Sequence, residues 1–565
     1  IKRDNRLTFY KDIVLPMTYT TPVQNLLKQS KNNPNKVYLH QPIERQWQKY
    51  TWTEVEHQAR CIAKGLQSQG YEKGSRIGIL SKNCAHWIIS DLAIMMAGYI
   101  PVAIFSTAHH NTISFVIKHA DLKAIFVGKL DDTSAAESAI NTDILRIALP
   151  YPTVSTTESF TSWLSKYPPI ENVHQASIND TATILYTSGS TGEPKGVVLT
   201  YKNWVSAAQI TAIKFNMTSN DRQMSYLPLA HAVERSLEAS SLFVGYEIYF
   251  VESLETFIED LNYVKPTVFG SVPRLWSKFQ SQILKSMPEK KLNFLISIPI
   301  INKIIAKKIR TKLGLECARY FVSGTAPIPL SLLQWYEKLG INISEAWGMS
   351  ETSSISCINL PYVKSDLGTI GKPIDCVTMK LAKEGEILIK GDAIFSEYYR
   401  DTETTLESFT DGWFHTGDCG EITASGAFKI VGRIKDKFKT SKGKYVTPVP
   451  IESLLSANTD IDQVCVMGSG LKQPIAIVVL NNSISKENTE AVEKLKNILI
   501  DVNNKLESHQ RLDYILVCSD VWDIDNGLLT PTLKIKRNAI EQKYMQLING
   551  ELLGDIIWES DIASI

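Results

Sequence analysis

An α/β fold is what this sequence predicts, on three observations. β-Type apolar runs alternate with helical patterns along most of its length, as expected where helices layer onto sheets. One stretch, GRIKDKFKT at 432–440, carries a dense run of Lys, Arg and Asp and suits an exposed linker better than a core element. At 565 residues the chain is long enough for a substantial core, and length alone suggests roughly three or four domains of about 150 residues.

The elements follow in order. Residues 52–69 carry a helical pattern and 76–80 (RIGIL) a β-type run. Residues 88–105 form the most apolar early stretch, but Asp91, Gly98 and Pro101 interrupt it, so it reads as a buried helix followed by a strand and not as a membrane span. No signal peptide is expected at the start. Strands are expected at 124–127, 183–186, 197–199, 247–251, 267–270 and 318–322, a helix at 329–339, and a strand at 428–431 leading into the linker. Beyond it come a helix at 449–456, strands at 464–468 and 475–480, a helix at 492–507 and a strand at 514–517. That is enough for a small α+β domain, and the expected division is 1–434 and 435–565.

Composition narrows the class. Hydrophobic residues at 44% and charged residues at 21% are ordinary for a soluble globular protein. A net charge of +1 argues against a globally basic nucleic-acid binder and against an acidic solvating tail. Eight cysteines lie far apart with no C-x-x-C, so neither a zinc knuckle nor a disulfide framework is indicated, and a reducing cytoplasm is the simplest home. Residues 290–312 place the run LNFLISIPII between Lys290/Lys291 and a basic cluster of Lys303, Lys307, Lys308, Arg310 and Lys312. The run is too short to span a bilayer; the alternatives are an interfacial helix, peripheral on the inner membrane surface, and a surface helix with a solvated basic face.

The chemistry centres on TSGSTGEPKG at 187–196, which lies between two β-type runs with no helix signal behind it. That separates it from the strand-to-helix phosphate loop, and the chain has no G-x-x-x-x-G-K-[ST] match. Glycines let backbone N–H groups approach an anion, the hydroxyls of Thr187, Ser188, Ser190 and Thr191 add donors, and Lys195 supplies a mobile positive charge. On its own such a run is also the composition of a flexible loop.

The loop resembles the signature of the adenylate-forming superfamily, which contains acyl-CoA synthetases, peptide-synthetase adenylation domains and beetle luciferases. Further motifs of that family recur in its order: YLPLAHAVER at 226–235, VSGTAPIP at 322–329, EAWGMSET at 345–352, GWFHTGD at 412–418, GRIKDKFKTSKGKYVTP at 432–448 and LTPTLKIKR at 529–537. The resemblance covers nearly the whole chain. It implies a large N-terminal domain of sheets flanked by helices and a small mobile C-terminal lid meeting it at the active site, with ATP, Mg²⁺ and coenzyme A as cofactor and co-substrates.

Carried over residue by residue, the resemblance puts Thr187, Ser188, Gly189, Ser190, Thr191, Gly192 and Lys195 around phosphate, and makes Glu351 hold Mg²⁺ together with Thr187. Ser350 should contact the α-phosphate. Trp347, followed by Gly348, should stack on adenine; tyrosine is commoner there, but an indole stacks at least as well. Gly324, Thr325 and Ala326 should line the other side of the base. Asp418 and Arg433 match the residues that fix the ribose hydroxyls, and a carboxylate can accept from two adjacent hydroxyls. Lys534 falls at the catalytic lysine, with Leu533 where glycine is usual and Lys536 as the rival. Lys435 matches the hinge, and Gly443 a segment that lines the path of the coenzyme A thiol after the lid rotates.

LPLAHAVER, SVPRLWSKF, SGTAPIPLSLL and TSKGKYVTP look like the long-chain fatty acyl-CoA synthetase branch, with His231 near the acyl carboxylate as a gate. His231 and Glu234 form an H-x-x-E pair, but with no companion motif a core or gating histidine is the better reading. The expected activity is therefore a long-chain fatty acid:CoA ligase working through an acyl-adenylate. The alternatives are a ligase that passes the acyl group to a carrier protein and, from another class, an inactive nucleotide-sensing or scaffold protein.

Overall fold

The computed structural model describes residues 18–562 apart from 142, 157, 188–192, 459, 482–485, 487, 531–533 and 549–553. Ser188, Gly189, Ser190, Thr191 and Gly192, five of the expected phosphate residues, lie outside the described residues.

The largest sheet has eight strands, in the order Glu397–Tyr398, Lys195–Thr200, Thr181–Thr187, Ile100–Ile104, Arg76–Leu80, Leu122–Val127, Leu145–Ala148 and Glu158–Ser159. Its centre is parallel, which explains why RIGIL reads as a continuous apolar run: such strands are covered on both faces. Helix Ala85–Ala97 is buried on nearly every residue, as an all-round apolar helix must be. Helix Trp52–Gln67 packs along it and begins at a capping box, in which the Thr51 hydroxyl accepts from Glu54 N–H while Glu54 accepts from Thr51 N–H.

Two further sheets flank this one: a four-stranded sheet ordered Arg222–Ser225, Glu247–Phe250, Val37–Ile43, Gln46–Thr51, and a five-stranded sheet running from Val268–Ser271 through Tyr320–Ser323, Ile343–Met349 and Ser354–Ile358 to Lys372–Pro373. A fourth sheet contains Trp413–Ile422 and its antiparallel partner Phe428–Arg433.

After the linker, strands Ile461–Met467, Ile475–Leu480, Ile515–Val517 and Ile556–Trp558 form a separate sheet. Its period-two alternation is visible in the packing: Val464 and Val466 join one apolar cluster with Leu495 and Leu499, while Cys465 and Met467 join another with Ile540 and Tyr544. Both faces are thus covered, and the mixed α/β chain has a large N-terminal part and a small α+β C-terminal part.

Some boundaries differ from expectation. The helix expected at 492–507 is Thr489–Asn503, because Asn488 caps it by accepting from Ala491 N–H. The strand expected at 318–322 is Tyr320–Ser323. Residues 290–312 are not one helix. Pro299 forces Ile298 into extended backbone (φ −93°, ψ 112°), which divides them into Glu289–Ser297 and Pro299–Lys312, packed on one another. No helix among the described residues is long and apolar enough to cross a membrane.

Candidate functional site

Thr187 ends one strand and Lys195 begins the next, paired directly across an antiparallel ladder, so the expected loop does join strand to strand. The Lys195 ammonium lies 5.0 Å from the centre of the Tyr398 ring, whose strand pairs with Val197 and Val198. The Tyr398 hydroxyl donates to Glu351 Oε1 at 2.9 Å, and Phe395 N–H donates to the Glu351 carbonyl at 2.8 Å. Burial first and the Glu351 carboxylate second push the Tyr398 hydroxyl well above its ordinary pKa, so it stays a donor. Tyr398 was not expected: it lies outside every quoted motif, and only strand pairing brings it here.

The second wall is a cross-braced carboxylate. Asp418 and Arg433 face each other on paired strands, with Arg433 Nε 2.8 Å from Asp418 Oδ1. Trp347 Nε1–H donates to the other oxygen, Oδ2, at 2.9 Å. Each carboxylate oxygen has further lone-pair capacity, so two more donors can be accepted. Gly348 sits at a bulge in the ladder where a Cβ would overlap the Ser354 carbonyl oxygen, so only glycine fits. Gly324 N–H donates to the Ser271 carbonyl, Thr325 turns the chain with φ +69°, and Ala326 follows on the exposed loop.

His231 is the N-cap of helix Ala232–Val244, its Nδ1 accepting Val233 N–H at 3.2 Å. Burial, helped by the charge of Lys534, lowers its pKa to about 4. The ring is therefore neutral with its proton on Nε2, and a capped imidazole can swing only by giving up that cap. Three residues on, burial raises Glu234 to about 8, and Gln223 Nε2–H donates to it at 3.0 Å.

Lys534 comes from the C-terminal part. Beside it Leu529 and Ile535 form an antiparallel bridge, Thr530 N–H donates to the Lys534 carbonyl and Lys534 N–H to the Thr530 hydroxyl. Its side chain is wetted by the cleft yet enclosed by protein. That enclosure and Arg433 lower its pKa, while Asp418 and Glu351 oppose the shift. Of the two candidate lysines, Lys534 is the one whose charge acts on His231.

Arg537 follows this bridge. It donates to the Val466 carbonyl at 2.7 Å, pairs with Glu452 at 2.8 Å and lies 4.0 Å from Asp436, the residue after Lys435. Neither Arg537 nor Glu452 was singled out from sequence, although Arg537 closes the LTPTLKIKR motif. Lys435 itself is exposed, just beyond Ile434, whose N–H donates to the Gly417 carbonyl. Gly432 is buried with φ +147°, and the Thr447 methyl occupies the place where a Cβ would project.

These groups line one cavity of about 3620 Å³. It holds Thr187, Lys195, His231, Gly324, Thr325, Ala326, Trp347, Gly348, Ser350, Glu351, Asp418, Arg433, Lys435 and Lys534. Pockets for single small ligands run to roughly 1,000 Å³, so this one has room for several. Gly443 is not part of it. With φ +76° it turns the hairpin between Phe438–Lys439 and Tyr445–Val446, which is bonded through Ser441 N–H to the Leu471 carbonyl. Arg274–Asp462 at 2.9 Å and a His109 ring nitrogen against the Ile524 carbonyl at 2.8 Å hold the two parts together across the cleft.

The model for the AMP-binding enzyme matches residues 26–399, and that for the AMP-binding enzyme C-terminal domain matches 435–551. The chain belongs to the AMP-binding enzyme family. It is 30% identical to long-chain-fatty-acid–CoA ligase 5 of Rattus norvegicus, over 89% of this chain and 84% of that one. Long chain acyl-CoA synthetase 2 of Arabidopsis thaliana is 28% identical, over 96% of this chain and 94% of that protein. In fold it is similar to the anthranilate CoA ligase AuaEII solved with anthranoyl-AMP, with TM-score 0.78 and 21% identity over 94% and 98% of the chains. The family is one of adenylate-forming acyl-CoA ligases that use ATP, Mg²⁺ and coenzyme A.

Proposed function

We propose that this chain is a long-chain fatty acid:CoA ligase, with residues 1–434 forming the nucleotide and acyl site and 435–565 a lid that carries the catalytic lysine. One observation carries the reading. Lys534, from the C-terminal part, lines the same cavity as Glu351, Asp418, Arg433 and His231 of the N-terminal part.

The residues divide the work of adenylation. Asp418, braced by Trp347 and Arg433, accepts the ribose hydroxyls, while the Trp347 face and the Gly324–Thr325–Ala326 turn enclose the base. Lys195 offsets the charge of the leaving pyrophosphate. Lys534 offsets charge where the acid's carboxylate meets the α-phosphorus, beside Ser350, and the neutral His231 offers Nε2–H to the acid without a competing cation. Thr187 and Glu351 are oxygen donors suited to Mg²⁺, which takes few protein ligands and keeps water and phosphate. Bound there, the ion would neutralise phosphate charge. The acyl chain would lie along the wall formed by Tyr226, Phe257, Phe269, Phe279 and Leu332.

A panel of acids of increasing length, assayed for AMP release with and without coenzyme A, tests this. Each buried methylene contributes about 0.8 kcal/mol, so two added carbons should raise kcat/KM by more than about tenfold until the cavity is filled. Equal rates on aromatic and long aliphatic acids would reject the substrate. AMP release that ignores coenzyme A but responds to an acyl carrier protein would favour the carrier-loading alternative.

A further inference from the structure

We infer that the helical pair Glu289–Ser297 and Pro299–Lys312 is a docking surface for the anionic face of a lipid bilayer, set at the acyl end of the cavity. The inference rests on the ligase reading only for what it delivers; the surface itself stands on exposure and charge.

The pair is tethered by few buried side chains: Leu292 from the first helix, Ala306 and Ile309 from the second. Its outer side is not polar. Ile300 is 75% exposed, Phe294 67% and Ile304 61%, with Ile298 between the helices at 36%. Single exposed apolar residues are ordinary on any surface, but four within one short pair form a patch, and a patch needs a reason.

Charge supplies the second half. Residues 289–312 hold Lys290, Lys291, Lys303, Lys307, Lys308, Arg310 and Lys312 against one acid, Glu289, in a chain whose whole net charge is +1. None of these cations has an ion-pair partner among the described residues. On the second helix Ile300, Lys303, Ile304, Lys307 and Lys308 follow the spacing of one helical face, and all are exposed.

A protein partner with an acidic groove would call for separate apolar and basic stripes. Interleaved isoleucine and lysine suit an interface in which apolar side chains enter the acyl boundary while lysine stems extend back to phosphate level. Anionic lipid also matches the charge.

The position gives the surface a use. The cavity is lined at this end by Leu254, Ile258, Leu284, Lys285 and Glu289, the last being the first residue of the pair. A long-chain acid dissolved in the leaflet would then meet the acyl arm without crossing water.

The test is partition of the full-length protein onto phosphatidylcholine vesicles with and without roughly a third phosphatidylserine, at low and physiological salt. Binding should be at least about tenfold stronger on the anionic vesicles and weaken with salt. The triple variant Lys303→Glu, Lys307→Glu, Lys308→Glu should lose that preference, and Ile300→Ser with Ile304→Ser should lose binding at either salt. Both should keep ATP–pyrophosphate exchange with a short soluble acid, which shows that they fold. Equal partition of the wild type and both variants, or of the wild type onto neutral and anionic vesicles, overturns the inference. Inactivity on every acid with vesicle binding intact would count against the ligase reading and leave the surface standing.

Discussion

The two walls of the cleft are built differently. On the N-terminal side each group is braced by a neighbour in a sheet: Asp418 is held by Arg433 and Trp347, and Glu351 by Tyr398. On the C-terminal side one lysine lies between Leu528 and Leu529, packed into an apolar cluster of that part, and Arg537, bonded to Glu452 and the Val466 carbonyl. On the proposed function, the first wall is pre-organised and the second is delivered, which would separate binding of the nucleotide from assembly of the reactive site.

The largest effect that would sharpen this contrast is expected from Lys534→Ala. It should cut acyl-AMP formation by about a hundredfold or more, yet still convert supplied acyl-AMP and coenzyme A to thioester. Because burial and Arg433 depress the Lys534 pKa, the wild-type adenylation rate should fall as pH rises toward, but below, 10.5. Lys534→Arg should lose that alkaline limb. Stopped assays of each half-reaction across pH decide it, and equal loss of both halves would break the contrast.

Next comes Glu351→Gln on the braced wall. Loss of a charge-assisted contact of about 1.5–3 kcal/mol corresponds to roughly ten- to a hundredfold in rate. The magnesium concentration for half-maximal rate should rise; unchanged magnesium dependence would remove Glu351 from the metal site.

A smaller change is expected from Arg537→Lys, which keeps the charge and loses the fork that spans Glu452 and the Val466 carbonyl. Adenylation kcat should fall up to about tenfold with KM for ATP little altered and the thioester half spared. A parallel fall in both halves, tracking a lower Tm, would make Arg537 merely structural.

The smallest is Glu234→Gln. A carboxyl raised to about 8 from an unfolded value of 4.5 stabilises the fold below pH 4.5, and that contribution is lost as pH rises through 8. Tm should therefore decline more gently between pH 5 and 8 in the variant, which thermal melts across that range would show.

Much of this was legible in the sequence. The helix expected from residue 52 and the apolar strand at 76–80 fall where the sequence places them, and the quoted motifs converge on one cavity even though Glu351 and Lys534 are far apart in the chain. What escaped depends on long-range pairing or on one local competitor. Tyr398 reaches Glu351 because its strand joins Val197 from about two hundred positions away. Arg537 looked like one more charge in a basic run, and only packing turns it inward. Pro299 divided a stretch that composition treats as uniform.

Gly432 lies at the joint between the two parts of the chain. Its missing side chain is a seat for the Thr447 methyl, a contact between the last strand of one part and the start of the other. A larger residue there would collide with that methyl and take a backbone conformation that residues with side chains rarely adopt, so it would force the two parts apart at the joint. On the proposed reading of Lys534 as the lid's lysine, a single methyl at this joint would hold that lysine out of register with Asp418 and Glu351.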